Sequence, residues 1–278
     1  MTERSRYNDG FSWKEWLPLR WSPTVLLVCL GLTPIAAAPT GAADGFQFLP
    51  AVALQLEAAR YAPVETDLHW TGTMGGGADV FAVKGVRAYI AGSVETIIGN
   101  TRRGFDATQA NYDLETGARW RVHGLTVNPF FHHTSRHLVD REKAPAVDWN
   151  ILGVGVEAAL GERRRARVGG TVGHTTLDSI VGYRWELTGH GDVELYRRGG
   201  MALYGSARAR FVTIDPEPEL PRDDFLDWAF EGGVRFQREI RAFEVFAAYE
   251  RRHDVFLLTP GARDRGLFGI RFRLAGPE

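Results

Sequence analysis

Residues 129–140 read Pro-Phe-Phe-His-His-Thr-Ser-Arg-His-Leu-Val-Asp and hold three of the eight histidines of the chain. Ser135 has an imidazole two residues away on each side, His133 and His137. A serine becomes a nucleophile when an imidazole takes its proton and a third group orients that imidazole. The segment before the serine alternates, with Leu125, Val127 and Phe131 on the odd positions. Side chains of a strand point alternately to opposite faces. Continued parity therefore puts His133, Ser135 and His137 on the same face as those apolar residues, with His133 and Ser135 ~6.6 Å apart along the strand.

The next alternating run, 147–160, supplies the third group. Leu152, Val154, Val156 and Ala158 share a parity with Asp148 and Asn150. A loop centred near 141–142 places Ser135 opposite Asp148 and His133 opposite Asn150, and directly opposed residues share a face. The spacing lets Ser135, His133 and Asp148 form a nucleophile, a base and an orienting acid. Asn150 or a backbone N–H near Arg136 is the candidate oxyanion donor. Arg136 and Arg141 are candidates for holding a lipid phosphate. Val147, Trp149 and Ile151 are apolar as well, so parity at the top of this run stays open near Gly153.

Two other readings use the same residues. His133 and His137 share a face but stand ~13 Å apart along a strand. One zinc ion with bonds of ~2.0–2.1 Å does not bridge them, and no metal or other cofactor is expected. Alternatively, the histidines hydrogen-bond within the hairpin and only stiffen its loop.

The elements that would carry this site are strands. Near the C-terminus Phe268, Ile270, Phe272 and Leu274 alternate with Gly269, Arg271 and Arg273. The same grammar runs through 111–122, 165–174, 201–211, 226–237 and 241–250, and more weakly through 52–61, 78–84, 86–98, 124–137, 147–160 and 179–188. The expected fold is all-β: an antiparallel up-and-down transmembrane β-barrel of about twelve strands. Ten is the alternative, because 45–84 is hard to divide. One face of each strand is apolar. The other collects both signs of charge, including Asp113, Glu115, Arg119, Arg208, Arg210, Asp227, Glu231, Arg235, Glu244, Glu250, Arg271 and Arg273. In a dry core each would cost several kcal/mol unless paired. A lumen permits pairing or water, and long Arg and Glu side chains in so narrow a barrel predict a largely plugged interior.

The N-terminal segment fits that setting. Arg4, Arg6, Lys14 and Arg20 precede an apolar run from Val25 to Ala38 and then small residues up to Ala43. This charged, apolar, small order predicts a signal peptide over 1–43, leaving 44–278 as one barrel domain. Cys29, the single cysteine, would leave with it. Net charge is −1, so no nucleic-acid partner is expected. Short connections near 122–124, 161–164 and 238–240 alternate with long polar ones at 99–107, 138–146, 214–224 and 253–265. Barrels of this type keep short turns on the periplasmic side, so both mature termini are expected there. Trp120, Trp149, Tyr183, Trp185, Trp228 and Tyr249 are candidates for interfacial girdles.

The segment His133-x-Ser135-x-His137-Leu138-x-Asp140, followed by Asp148-Trp149-Asn150, resembles a family of bacterial outer-membrane barrels of unknown function whose hairpin reads His-x-Ser-Ser-His-Leu-Gly-Asp. Arg136 and Val139 depart from that pattern. The His-x-Ser pair is also similar to outer-membrane lipid A 3-O-deacylases, in which His, Ser and an acid on the next strand form an outward-facing triad. Those resemblances imply the bacterial outer membrane, with membrane lipids, lipopolysaccharide and the barrel-insertion machinery as partners. The first implies a structural or narrow pore-like barrel with a charged lumen. The second implies a lipid A or phospholipid acyl-ester hydrolase.

Overall fold

The computed structural model describes residues 45–139, 147–161, 165–215, 222–254 and 261–275. The signal segment predicted over 1–43 lies outside these residues, as do Asp140 and Arg141. Twelve strands are β1 (Gln47–Glu65), β2 (Leu68–Val83), β3 (Val86–Gly99), β4 (Asp106–Val122), β5 (Leu125–Leu138), β6 (Val147–Leu160), β7 (Ala166–Asp178), β8 (Tyr183–Arg198), β9 (Met201–Ile214), β10 (Phe225–Arg238), β11 (Arg241–His253) and β12 (Ala262–Ala275). Each pairs antiparallel with its sequence neighbours, and β1 pairs with β12. Closure leaves no edge, so the backbone hydrogen bonds are satisfied within the sheet, as hydrocarbon requires.

The stretch 45–84 forms two strands. Its pattern is hidden because β2 carries Gly75-Gly76-Gly77 at mid-strand, where no side chain marks a face. β8 runs well past the expected 188 for a similar reason: Gly189 and Gly191 occupy outward positions between Leu187 and Val193.

One end is closed by tight turns. Lys84-Gly85 and His123-Gly124 both have positive φ at both positions, the backbone that two-residue hairpins favour. By the loop-length rule this end is periplasmic, and β1 begins and β12 ends there. The opposite end carries the long connections. Two connections there are short, however: Thr66-Asp67 and residues 179–182.

The exterior is an apolar band, with Leu54, Leu56, Ile90, Leu114, Leu152, Phe230 and Phe268 all exposed. The interior carries paired charges, dense beside β10–β12, while lumenal charges on β6–β9 stay open to solvent, Arg208 at 71% and Arg167 at 45% exposure. Arg271 reaches Glu57 at 2.6 Å, Glu231 at 2.7 Å and Glu244 at 2.8 Å, and Arg235 reaches Glu244 at 2.6 Å. Towards the outer end Arg252 meets Glu95 at 2.7 Å, and Arg210 lies between Glu186 at 2.7 Å and Asp227 at 3.3 Å. One unit occurs twice. Tyr89 opposes Gly117, its hydroxyl donates to Glu115 at 2.7 Å, and Arg119 lies 3.7 Å over its ring. Tyr204 opposes Gly233, donates to Glu231 at 2.8 Å, and carries Arg235 at 4.7 Å. Both units read Glu-x-Gly-x-Arg on the second strand. A Cβ on either glycine would come within 3.0 Å of the tyrosine ring, so glycine is what lets the ring lie flat on the wall.

Two apolar clusters also sit inside. One comprises Phe130, Val147, Trp149, Ile151, Val181, Tyr183, Val212 and Phe225. Trp149 and Tyr183, expected at the lipid interface, therefore belong to the lumen, while Trp185 and Tyr249 are exposed on the exterior.

Candidate functional site

The β5–β6 ladder sets the register of the hairpin. Ser135 opposes Asp148, and His133 opposes Asn150. Even positions of β5 are lumenal: Phe130, Thr134 and Arg136 are buried, and His132 lies 3.2 Å from Asp113 and 3.5 Å from Glu115. Odd positions, including His133, Ser135 and His137, accordingly face out with Phe131. On β6 the lumenal side is Val147, Trp149 and Ile151, which resolves the parity left open by the sequence: all three fill the inner cluster. Asp148 and Asn150 share the outward face with the exposed Leu152 and Val154.

The hydrogen bonds differ from the sequence expectation. His133 Nδ1 lies 2.6 Å from Asn150 Oδ1. An amide oxygen only accepts, so Nδ1 is the donor, and in the neutral ring Nε2 is the accepting nitrogen. Asp148 has another partner: its Oδ1 accepts from Ser179 Oγ at 2.8 Å, and its backbone N–H donates to that hydroxyl at 3.1 Å. The orienting position beside His133 is therefore held by Asn150 rather than Asp148, because cross-strand partners in register meet before diagonal ones do. That contact uses the Asn150 carbonyl oxygen, whereas holding an oxyanion would use its amide N–H groups. Ser135 Oγ is 3.3 Å from His137 Nε2, and Tyr112 packs edge-on against His137 with ring centroids 5.5 Å apart.

Arg136 does not reach lipid phosphate. It is buried in the lumen, its Nη1 donates to the Asp254 carbonyl, and its guanidinium lies 5.1 Å from the Trp149 ring. Tyr183 and Arg222 both donate to the Asp254 carboxylate, the latter at 2.8 Å. Thus Arg136, between Ser135 and His137, and Trp149, between Asp148 and Asn150, brace the hairpin from behind. Ser179 was not legible in the sequence. It sits in the turn after β7, and a bulge at Asn150/Ile151 sets its position relative to β6.

The exterior around the site is greasy. Leu114 opposes His133 on β4, Tyr112 opposes Ser135, and Leu177 on β7 opposes Asn150. All three are exposed, so a lipid tail can lie against the wall beside the polar group.

No protein-family model and no curated protein matches the sequence. Solved structures do match. An outer membrane phospholipase dimer with bound calcium from Salmonella typhi superposes with a TM-score of 0.52 at 12% identity, over 80% of this chain and 90% of that one. Outer membrane phospholipase A from Escherichia coli gives 0.51 at 10% identity, over 82% and 97%. An active-site mutant of the E. coli protein, with asparagine changed to alanine, gives 0.53 at 11% identity, over 84% and 94%. At such identities the likeness establishes the fold. The chain is a twelve-stranded β-barrel of the bacterial outer membrane.

Proposed function

We propose that this barrel hydrolyses acyl esters of outer-membrane lipids, either phospholipid or lipid A, with Ser135 as nucleophile, His133 as base and Asn150 as the group that orients the imidazole. The carrying observation is the 2.6 Å contact between His133 Nδ1 and Asn150 Oδ1, on the outer face, two residues from Ser135. It fixes the tautomer whose Nε2 can accept the serine proton. Ser135 Oγ would attack the ester carbonyl carbon as His133 Nε2 takes its proton. That proton passes to the departing alcohol oxygen of the lysolipid, leaving an acyl-serine. Water, deprotonated by the same nitrogen, then attacks the acyl carbon, releases the fatty acid and returns the proton to Ser135. An outward site admits the ester sideways from the bilayer, without passage through the lumen.

The asparagine active-site mutant of the E. coli phospholipase sets a precedent for an active-site asparagine on a barrel of this fold. Calcium accompanies the Salmonella protein. Among the described residues here, no three His, Cys, Asp or Glu side chains converge as a metal site, and the Asp148 carboxylate is engaged by Ser179. The steps above use only the side chains of this chain. The test is fatty-acid release from mixed phospholipid micelles, and the mass of lipid A from cells, for wild type and Ser135→Ala. Release by wild type alone supports hydrolysis. Identical lipid profiles with no release would end it.

A structural or narrow pore-like role is the second reading. It is favoured by the contacts of Ser135 with His137 and of Asp148 with Ser179, which resemble a hydrogen-bonded loop anchor. A recording in planar bilayers tests its porous form: steady open-channel current supports it, and a silent bilayer leaves the structural role.

A further inference from the structure

At the periplasmic end of β8–β12 the lipid-facing surface ends in an aromatic row and then in arginines. Phe236 and Phe243 are directly opposed, with ring centroids 6.4 Å apart, and Phe243 meets Phe272 at 4.8 Å. These outward aromatics form the kind of girdle that marks the boundary between hydrocarbon and headgroups. Two residues further along, ~7 Å by strand rise, the next outward positions on the same two strands are Arg238 and Arg241, which oppose each other at the hairpin end. Both are exposed. Directly opposed side chains start ~5 Å apart at Cβ, and like charges so placed repel. Arg198, also exposed, ends β8 close by: it pairs with Met201, which pairs in turn with Phe236. The turn after β8 is tied to β10 by Gln237 N–H donating to the Gly200 carbonyl at 2.7 Å.

The acids in this corner do not neutralise the group. Glu194 is taken by both ends of the Arg197 fork. Among the described residues no carboxylate contacts Arg198, Arg238 or Arg241; Glu239 lies in the intervening turn with positive φ. Exposed Ile240 and Leu274, the latter opposite Arg241, add apolar surface around the guanidinium groups.

We propose that Arg238 and Arg241, with Arg198 beside them, form a binding site for the phosphate of an anionic phospholipid in the periplasmic leaflet. Guanidinium forks bind phosphate oxygens in pairs, and an anion between two opposed arginines removes the repulsion. The lipid, rather than a soluble phosphate, is the ligand because both side chains leave the outer wall one step below the aromatic row, at headgroup depth. This inference does not depend on the hydrolase.

The full barrel, purified in detergent, is offered phosphatidylglycerol or phosphatidylcholine, and retained lipid is counted by native mass spectrometry. Wild type should retain phosphatidylglycerol preferentially, and Arg238→Gln/Arg241→Gln should lose about thirtyfold of that preference, the equivalent of ~1 kcal/mol for each basic residue near a headgroup. Arg238→Lys/Arg241→Lys should keep most of it. Heat-modifiable migration shows that each barrel is closed. Equal retention of the two lipids by wild type, equal preference in wild type and the glutamine variant, or displacement of phosphatidylglycerol by an equal concentration of inorganic phosphate would overturn the site.

Discussion

His133 and Asn150 are cross-strand partners whose side chains meet at 2.6 Å on the outside of the barrel, while the residues between and behind them, Thr134 and Trp149, are partners on the inside. The two-residue period of the strand thus separates a lipid-facing polar pair from a packed lumenal one. The lumenal face is where the hairpin is held, through Arg136, Trp149 and Asp254. The outer face is where a lipid can arrive.

The two histidines flanking Ser135 should not be equivalent. His133 is oriented by Asn150, whereas His137 touches Ser135 but packs on Tyr112. His133→Ala should lower fatty-acid release by roughly 10²–10⁴-fold, the usual contribution of a general base. His137→Ala should leave most of it. Initial rates on mixed micelles decide this, and the reverse ranking would move the base to His137.

Asn150→Ala should slow turnover by about tenfold or more while leaving the micelle concentration at half-maximal rate unchanged, because it removes only the orientation of the base. Asp148→Ala should change turnover little, since Asp148 serves the Ser179 turn. Steady-state kinetics on both variants separates the two roles.

The paired Tyr–Gly units predict a stability defect remote from the site. A Cβ at Gly117 or Gly233 would collide with the Pro129 or Val245 carbonyl oxygen and stand 3.0 Å from a tyrosine ring, so Gly117→Leu or Gly233→Leu must shift the neighbouring backbone as well as the ring. Overpacking of this kind costs about 1–3 kcal/mol. The urea midpoint for unfolding from detergent, followed by heat-modifiable migration, should fall for either variant.

Arg271→Met should be more damaging than any exterior arginine change. It strips Glu57, Glu231 and Glu244 of a shared cation that is itself nearly fully buried. Breaking a buried ionic group by removing one partner typically costs about 3–5 kcal/mol. Arg184→Met, on an exposed position, serves as the control in the same urea titration.

Much of the architecture was legible because alternation is a strong signal wherever both faces carry side chains. It failed at Gly75-Gly76-Gly77 and at Gly189 and Gly191, where the pattern has no side chains to show. The register that opposes Ser135 to Asp148 and His133 to Asn150 followed from loop length and parity alone. The engagement of Asp148 by Ser179 did not, because Ser179 lies in the turn after β7 and is brought beside β6 by a bulge. Arg136 is a candidate for lipid phosphate only by its place in the His-Ser segment. Parity alone puts it in the lumen, where Trp149 and Asp254 hold it.

The most direct measurement is covalent trapping of the nucleophile. The folded barrel in detergent is treated with a long-chain alkyl fluorophosphonate, digested, and the adduct located by mass spectrometry. Hydrolysis through Ser135 requires one adduct, on Ser135, formed more slowly in Asn150→Ala and absent in Ser135→Ala. A folded wild-type barrel that takes up no adduct, or carries it on another residue, would contradict the assignment.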